Sequence, residues 1–275
     1  MAEAVITERP VRAERLFDWL ALNVALHWLL YVNVGLGLLV LAPFAAPVFM
    51  ALGDRYAFSR EIGSAIYSFY GLLCHQLPQR SFFLGGSKVS YSLEEIGRVW
   101  NYNDLFSLRQ FVGNSVMGWK VAWSDRMVAM YGSFWLGGIL FAITRPRNGT
   151  PTGKTTLPVL PWLLLGILPM GLDGATHTLN DILAGLSGTG FRDTNDWLRF
   201  LTGSVFPATF YAGDAVGSFN NLARLETGAL FGFLTVWFIY PFIDWAMREM
   251  EQARRTRLAV AAGRDLGFVP EKTEE

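Results

Sequence analysis

Residues 19–53 read WLALNVALHWLLYVNVGLGLLVLAPFAAPVFMALG, and no charged side chain interrupts the run between Asp18 and Asp54. Only Asn23, His27 and Asn33 break its apolar character. A charge at the centre of a bilayer costs a few kcal/mol or more, and about 20 apolar residues cross the hydrocarbon core. The stretch is therefore long enough for one tilted membrane span. It is also too long for a cleavable signal, and no small-residue cleavage pattern follows a short hydrophobic region. It is expected to remain as an anchor.

The same criterion finds three more charge-free gaps: Arg126 to Arg145, Lys154 to Asp173, and Glu226 to Asp244. Composition agrees: 17% of the 275 residues are charged, 52% are hydrophobic and mean hydropathy is positive, whereas soluble domains carry about 25% charge. Twenty-three basic side chains balance 23 acidic ones, which leaves no basic surface for nucleic acid. A single cysteine, Cys74, excludes an intramolecular disulfide framework, a CxxC redox pair and multi-cysteine zinc or iron–sulfur sites.

These gaps predict an all-α polytopic membrane helix bundle of four transmembrane helices at 19–52, 126–144, 157–181 and 227–247. Two shorter apolar segments, Ile62–His75 and Phe200–Gly213, fit re-entrant or interfacial amphipathic helices; counting both as spans gives six. Charge placement favours four. The N-terminal tail 1–18 holds Arg9, Arg12 and Arg15, and the loop 145–156 holds Arg145, Arg147 and Lys154. The tail 248–275 holds Arg248, Arg254, Arg255, Arg257, Arg264 and Lys272. With four helices all three basic segments lie in the cytoplasm, as the positive-inside bias requires, and 53–125 and 182–226 lie outside. The Arg254, Arg255 and Arg257 cluster attracts anionic lipid at roughly 1 kcal/mol per charge, or is simply a solvated helix face. Ser92-Leu-Glu-Glu95 is a capping-box pattern, and Asp104 is a second helix-start candidate.

Chemistry, if any, concentrates at the outer ends of the spans. Asp173, His177 and Asp181 are spaced i, i+4, i+8, which aligns two carboxylates and an imidazole along one helix face. Such a set suits one divalent metal ion, with Asn180 beside it. Asp125 and Arg126 open the second span at the same level, and Cys74, His75, Gln76 and Arg80 close the 62–80 segment there. His75 is the acid/base candidate and Arg126 an anion clamp. The bland reading pairs Asp173 with Arg126 as a polar layer between helices. Haem is not expected, because His27, His75 and His177 form no paired-histidine pattern. A Walker-like Gly149–Thr155 is one residue short and follows no strand. The sequon Asn148-Gly-Thr150 falls on the expected cytoplasmic side.

Cys74-His75-Gln76-x-Pro78-x-Arg80-Ser81-Phe82-Phe83, followed by Gly85-Gly86, resembles the signature of an uncharacterised family of predicted prokaryotic membrane proteins, domain of unknown function 2085. A Cys-x-Arg-Cys-x-Gly-x-Tyr segment follows in that family, and Ser124–Tyr131 is similar to it. Arg126 and Tyr131 agree, while Ser124 and Met127 stand where the family has cysteines. Asp173-Gly174 and the stretch Arg192–Gly203 also look similar, so the likeness covers roughly residues 60–245. It implies a multi-span protein of the prokaryotic plasma membrane with no known activity. The missing cysteines speak against thiol-based metal or redox chemistry. Three function classes stay open. The leading one is a non-catalytic subunit of a larger membrane complex, with other membrane-protein subunits as partners. The alternatives are a metal-dependent enzyme acting on a lipid or lipid-linked substrate, and an ion or proton pathway.

Overall fold

A computed structural model describes residues 12–145 and 156–261. The sequon, the Walker-like stretch, Arg9, Arg147, Lys154, Arg264 and Lys272 lie outside the described residues. Among the described residues four helical segments are long and apolar enough to cross a membrane: Leu16–Leu52, Asp125–Thr144, Val159–Ala184 and Phe219–Val260. They belong to α1 (Arg12–Leu52), α5 (Asp125–Thr144), the run α6 (Val159–Pro161) through α7 (Leu168–Ala184), and α11 (Phe219–Ala261). The protein is an all-α polytopic bundle with four spans. Ile62–His75 is not a fifth: α2 (Ala57–Tyr70) has only 14 residues and one buried face, carrying Ser59, Gly63, Tyr67 and Tyr70. Phe200–Gly213 is divided between the end of α9 (Asp196–Leu201) and α10 (Ala208–Tyr211).

Arg224 meets Asp125 at one end of α11 and Asp244 meets Arg145 at the other, so α5 and α11 run parallel. Gly228 and Gly232 make their close packing possible. A Cβ at Gly232 would lie 2.2 Å from the Met130 carbonyl oxygen, the close backbone approach that small residues four apart allow in membranes. α1 and α7 run the opposite way: Asn33 faces Gly138, Asp18 meets Arg254, and Asp173 meets Arg126. The start of α1, the end of α5 and the end of α11 therefore share one end of the bundle, here the tail end. The segment 53–124 covers the other, the cap end.

Prolines inside these helices free carbonyls four residues earlier, and at Pro43 and Pro241 tertiary contacts take them up. Pro43 releases Leu39, whose carbonyl accepts the Tyr70 hydroxyl at 2.9 Å. Pro241 releases Trp237, whose carbonyl accepts the Leu157 amide at 3.2 Å. Between Pro161 and Pro169 the chain adopts a π-helix, Trp162–Ile167, a register that tolerates missing donors. Its Trp162 ring stacks on Phe238 at 4.1 Å.

The cap contains an antiparallel sheet that the sequence reading did not anticipate. β1 (Ser81–Leu84), β2 (Gly113–Asn114) and β3 (Gly118–Ser124) are ordered β1-β3-β2. Asn114 Oδ1 accepts the amides of Val116 and Met117 in the β2–β3 turn. Gly118 closes that turn at φ +78° with no room for a Cβ, which would sit 2.4 Å from the Leu84 carbonyl oxygen. Two short helices carry the capping expected of them. Ser92 and Glu95 form a reciprocal box ahead of α3 (Leu93–Gly97), and Asp104 caps α4 (Leu105–Arg109). In α8 (Phe191–Thr194) Asp193 reaches back to accept the Gly190 amide. Buried Ile96, Leu108, Phe83 and Phe111 form the core of the cap.

Charged side chains in the bundle gather in two layers, one at each end. Arg224 and Asp244 stand twenty residues apart (224 to 244) on α11, about 30 Å at 1.5 Å per residue. That is the thickness of a bilayer's hydrocarbon core.

Candidate functional site

The cap-end layer joins four arginines and four aspartates from six segments. Arg80, in the 3₁₀ turn Pro78–Arg80, grips both oxygens of Asp181 (2.7 and 2.8 Å) and donates Nε to Asp214 at 2.8 Å. Arg224 donates Nη1 to the other Asp214 oxygen at 2.6 Å, and its Nε and Nη2 bind Asp125 at 2.8–3.0 Å. Asn221 also donates to Asp125, at 2.7 Å. On the other side Asp173 receives Arg126 and Arg192, each at 2.6 Å. The Arg192 guanidinium lies over the Phe219 ring at 5.4 Å. Asn180 accepts the Arg192 backbone amide, and Asn195 and Asn220 donate to its carbonyl.

The electrostatics follow from burial and charge matching. Burial alone would raise the Asp214 carboxyl, but Arg80 and Arg224 outweigh it and hold it well below the usual carboxylate range. Burial lowers the Arg192 pKa against the opposing pull of Asp173. Arg192 Nη2 lies 2.8 Å from His177 Nε2. A guanidinium can only donate, so Nε2 accepts and the ring proton sits on Nδ1. Nδ1 has no hydrogen-bond partner.

The expected metal set is spread out rather than convergent. Asp173 and Asp181 lie eight residues apart, about 12 Å along the helix axis, and each is held by arginine. Among the described residues no three His, Cys, Asp or Glu side chains gather as metal ligands. Arg126, expected as an anion clamp, is bound to Asp173, the pairing of the bland reading. His75 Nδ1 accepts the Leu77 amide at 3.1 Å. Desolvation, helped by Arg80, Arg126 and Arg224, lowers its pKa and leaves the ring neutral. It opens on a cleft of about 480 Å³ bordered by Leu77, Leu105, Phe106, Arg109 and Ile182, with Asp181 in its wall.

Cys74 and Gln76 belong to the neighbouring joint between the cap and the bundle. Cys74 Sγ lies 3.4 Å from Ser124 Oγ and accepts the Gln76 and Ser124 amides. Met127 packs against the apolar cluster that contains Cys74. Gln76 donates Nε2 to the Tyr67 carbonyl. Lys120 is fully buried and donates to the Gln76 and Arg109 carbonyls at 2.8 and 2.6 Å. Burial pushes its pKa down to about 7, despite an opposing contribution from Cys74.

Sequence reasoning missed Asp214, Arg224, Asn221 and Lys120. Arg224 carried one usable signal, since an arginine this close to the Glu226 edge of an apolar gap stands at the membrane boundary. Asp214 carried none, because it lies in a Gly- and Ser-rich loop.

A 184-residue alignment relates the chain to an uncharacterised protein, MJ1492, of Methanocaldococcus jannaschii, at 26% identity, covering 66% of this chain and 88% of that one. No solved structure matches. A family model described as "Predicted membrane protein (DUF2085)" matches residues 114–212, which include Arg126, Asp173 and Arg192 but not the Cys74–Phe83 segment. The resemblance read from the sequence holds: over residues 114–212 this membrane protein is similar to the uncharacterised predicted membrane proteins of DUF2085.

Proposed function

We propose that the chain is a non-catalytic subunit of a larger membrane complex, with its cap-end ion pairs serving to lock α5, α7, α11 and the cap into one frame. One observation carries this reading: Asp125, Asp173, Asp181 and Asp214 are each bound by arginine. A catalytic carboxylate needs a lone pair or a proton available to substrate, and here guanidinium groups take those positions. Under this reading 1–18, 145–156 and 248–275 face the cytoplasm. The proton-pathway alternative lacks stepping stones, since no Asp, Glu, Lys, Arg or His lies between Arg126 and Arg145 on α5 or between Glu226 and Asp244 on α11. Native purification in mild detergent, with mass spectrometry of everything that co-elutes, tests the proposal. Defined partner chains at fixed stoichiometry are expected; a protein that elutes with no other chain would overturn it.

A second reading, action on a lipid or lipid-linked molecule, is favoured by the cleft beside His75. Its walls are largely apolar, and the neutral imidazole at its edge could donate Nε2–H to a headgroup oxygen. The same purification tests it by lipid extraction. Stoichiometric lipid that is lost in His75→Phe supports it, and equal lipid in both proteins overturns it.

A further inference from the structure

We infer that the cavity beside Asp193, at the cap end, binds a small primary ammonium ion. Charge balance points there first. The cap-end layer sets Arg80, Arg126, Arg192 and Arg224 against Asp125, Asp173, Asp181 and Asp214, four against four. Asp193 is a fifth aspartate at the same end, half-buried, and among the described residues it has no ion-pair partner. One of its oxygens accepts the Gly190 amide at 2.9 Å. Arg199, on the following helix α9, lies over the Tyr211 ring instead. Burial raises the Asp193 pKa despite opposing contributions from Asn180, the Gly190 amide and Arg80, as befits a carboxylate that lacks its cation.

A second group is left over at the same place. Gln79 is only 5% exposed, yet its Oε1 has no hydrogen-bond partner, and an acceptor buried in that way is costly. Gln79 and Asp193 line one cavity of about 270 Å³, together with Arg80, Glu94, Asp181 and Asp214. The other charges of the cavity are already matched: Arg80 holds Asp181 and Asp214, and Glu94 pairs with Arg98. What stays unmet is one carboxylate charge and one amide acceptor.

Those two needs select the ligand. A primary ammonium carries a single positive charge and three N–H donors, and it accepts nothing. One donor serves Asp193, a second serves Gln79 Oε1, and the third remains for water. A bare metal ion fits less well, because it takes several ligand oxygens at once. Among the described residues no three His, Cys, Asp or Glu side chains gather in that way. A quaternary ammonium has no N–H and is held by aromatic faces, whereas no aromatic residue among those described borders this cavity. The volume falls below the roughly 300–1,000 Å³ of pockets for drug-sized ligands and suits an amine of a few heavy atoms. Two sources share this chemistry: a free alkylamine, and the ethanolamine headgroup of a phospholipid.

Two arms of one experiment on the full chain test the inference and separate the sources. In detergent, calorimetric titration compares ethanolamine with choline. In nanodiscs made with equal phosphatidylethanolamine and phosphatidylcholine, mass spectrometry reads which lipid stays with the protein after extraction. Saturable binding of ethanolamine, or retention of phosphatidylethanolamine over phosphatidylcholine, is expected, and the arm that responds identifies the source. Asp193→Asn keeps an oxygen for the Gly190 amide but loses the charge, and is expected to weaken binding about tenfold. Gln79→Met, of nearly the same volume, removes the second acceptor and takes its place if Asp193→Asn does not fold. No response in either arm, choline bound as well as ethanolamine, or binding unchanged by the substitution would overturn the inference. It needs no partner chain, so it stands or falls apart from the subunit reading.

Discussion

The two charged layers are built from the same residue types and behave differently because of where their arginines end. At the cap end Arg224 is 2% exposed and Arg80 6%, and each bridges two carboxylates. At the tail end Asp244 is buried, but its partners Arg145 and Arg248 are about one quarter exposed, and Arg257 beside Asp18 is mostly in solvent. The first layer is a closed network in which removing Arg80 or Arg224 takes a partner from two carboxylates at once. The second is a row of carboxylates whose cations reach toward headgroups and water, which screen them. Burial of the cation, rather than the number of ion pairs, decides how much each layer contributes.

This contrast can be broken in order of expected effect. Arg224→Ala leaves Asp125 and Asp214 buried and half-paired, and is expected to cost about 3–5 kcal/mol. Thermal unfolding in detergent measures it, and Asp125→Asn with Asp214→Asn in the same chain is expected to restore part of the loss. A result under about 1 kcal/mol would mean that water enters the cap-end layer.

Lys120 sharpens the cap-end side of the comparison through pH. Its folded pKa of about 7 lies below the unfolded value of 10.5, so between those values the unfolded chain binds more protons. Stability from this group is therefore diminished below pH 7 and recovers as pH rises toward about 10. The melting-temperature gap between wild type and Lys120→Met is expected to widen in favour of wild type across that window. A constant gap would count against a depressed pKa.

Asp244→Ala removes a partner from Arg145 and Arg248, each about one quarter exposed, and should cost about 1 kcal/mol. Asp18→Asn, facing Arg254 and the largely exposed Arg257, should cost less than about 1 kcal/mol. If Asp244→Ala matched Arg224→Ala in the same unfolding measurement, the distinction between the layers would be lost.

The four spans were legible from charge-free gaps because a bilayer excludes charge over a fixed thickness, which a one-dimensional reading measures directly. The Ser92 and Asp104 caps were legible for a similar reason, since their partners lie three residues away. The sheet was not, because Lys120 interrupts the apolar run of β3 as a solvent-facing charge would. Its burial depends on two carbonyls, from Gln76 and Arg109, that only the fold brings to it. The i, i+4, i+8 spacing of Asp173, His177 and Asp181 was visible, and it suggested a metal.

The sequence by itself determined that the chain lives in a membrane, how many times it crosses, and which ends of the helices carry charge. Hydrophobic thickness and local capping act along the chain, so their record is local. Only the tertiary structure decided what the charges do. Arg80 finds Asp214 across 134 residues and Arg224 finds Asp125 across 99. A carboxylate's chemistry depends on which cation reaches it first, and chain spacing carries no record of that.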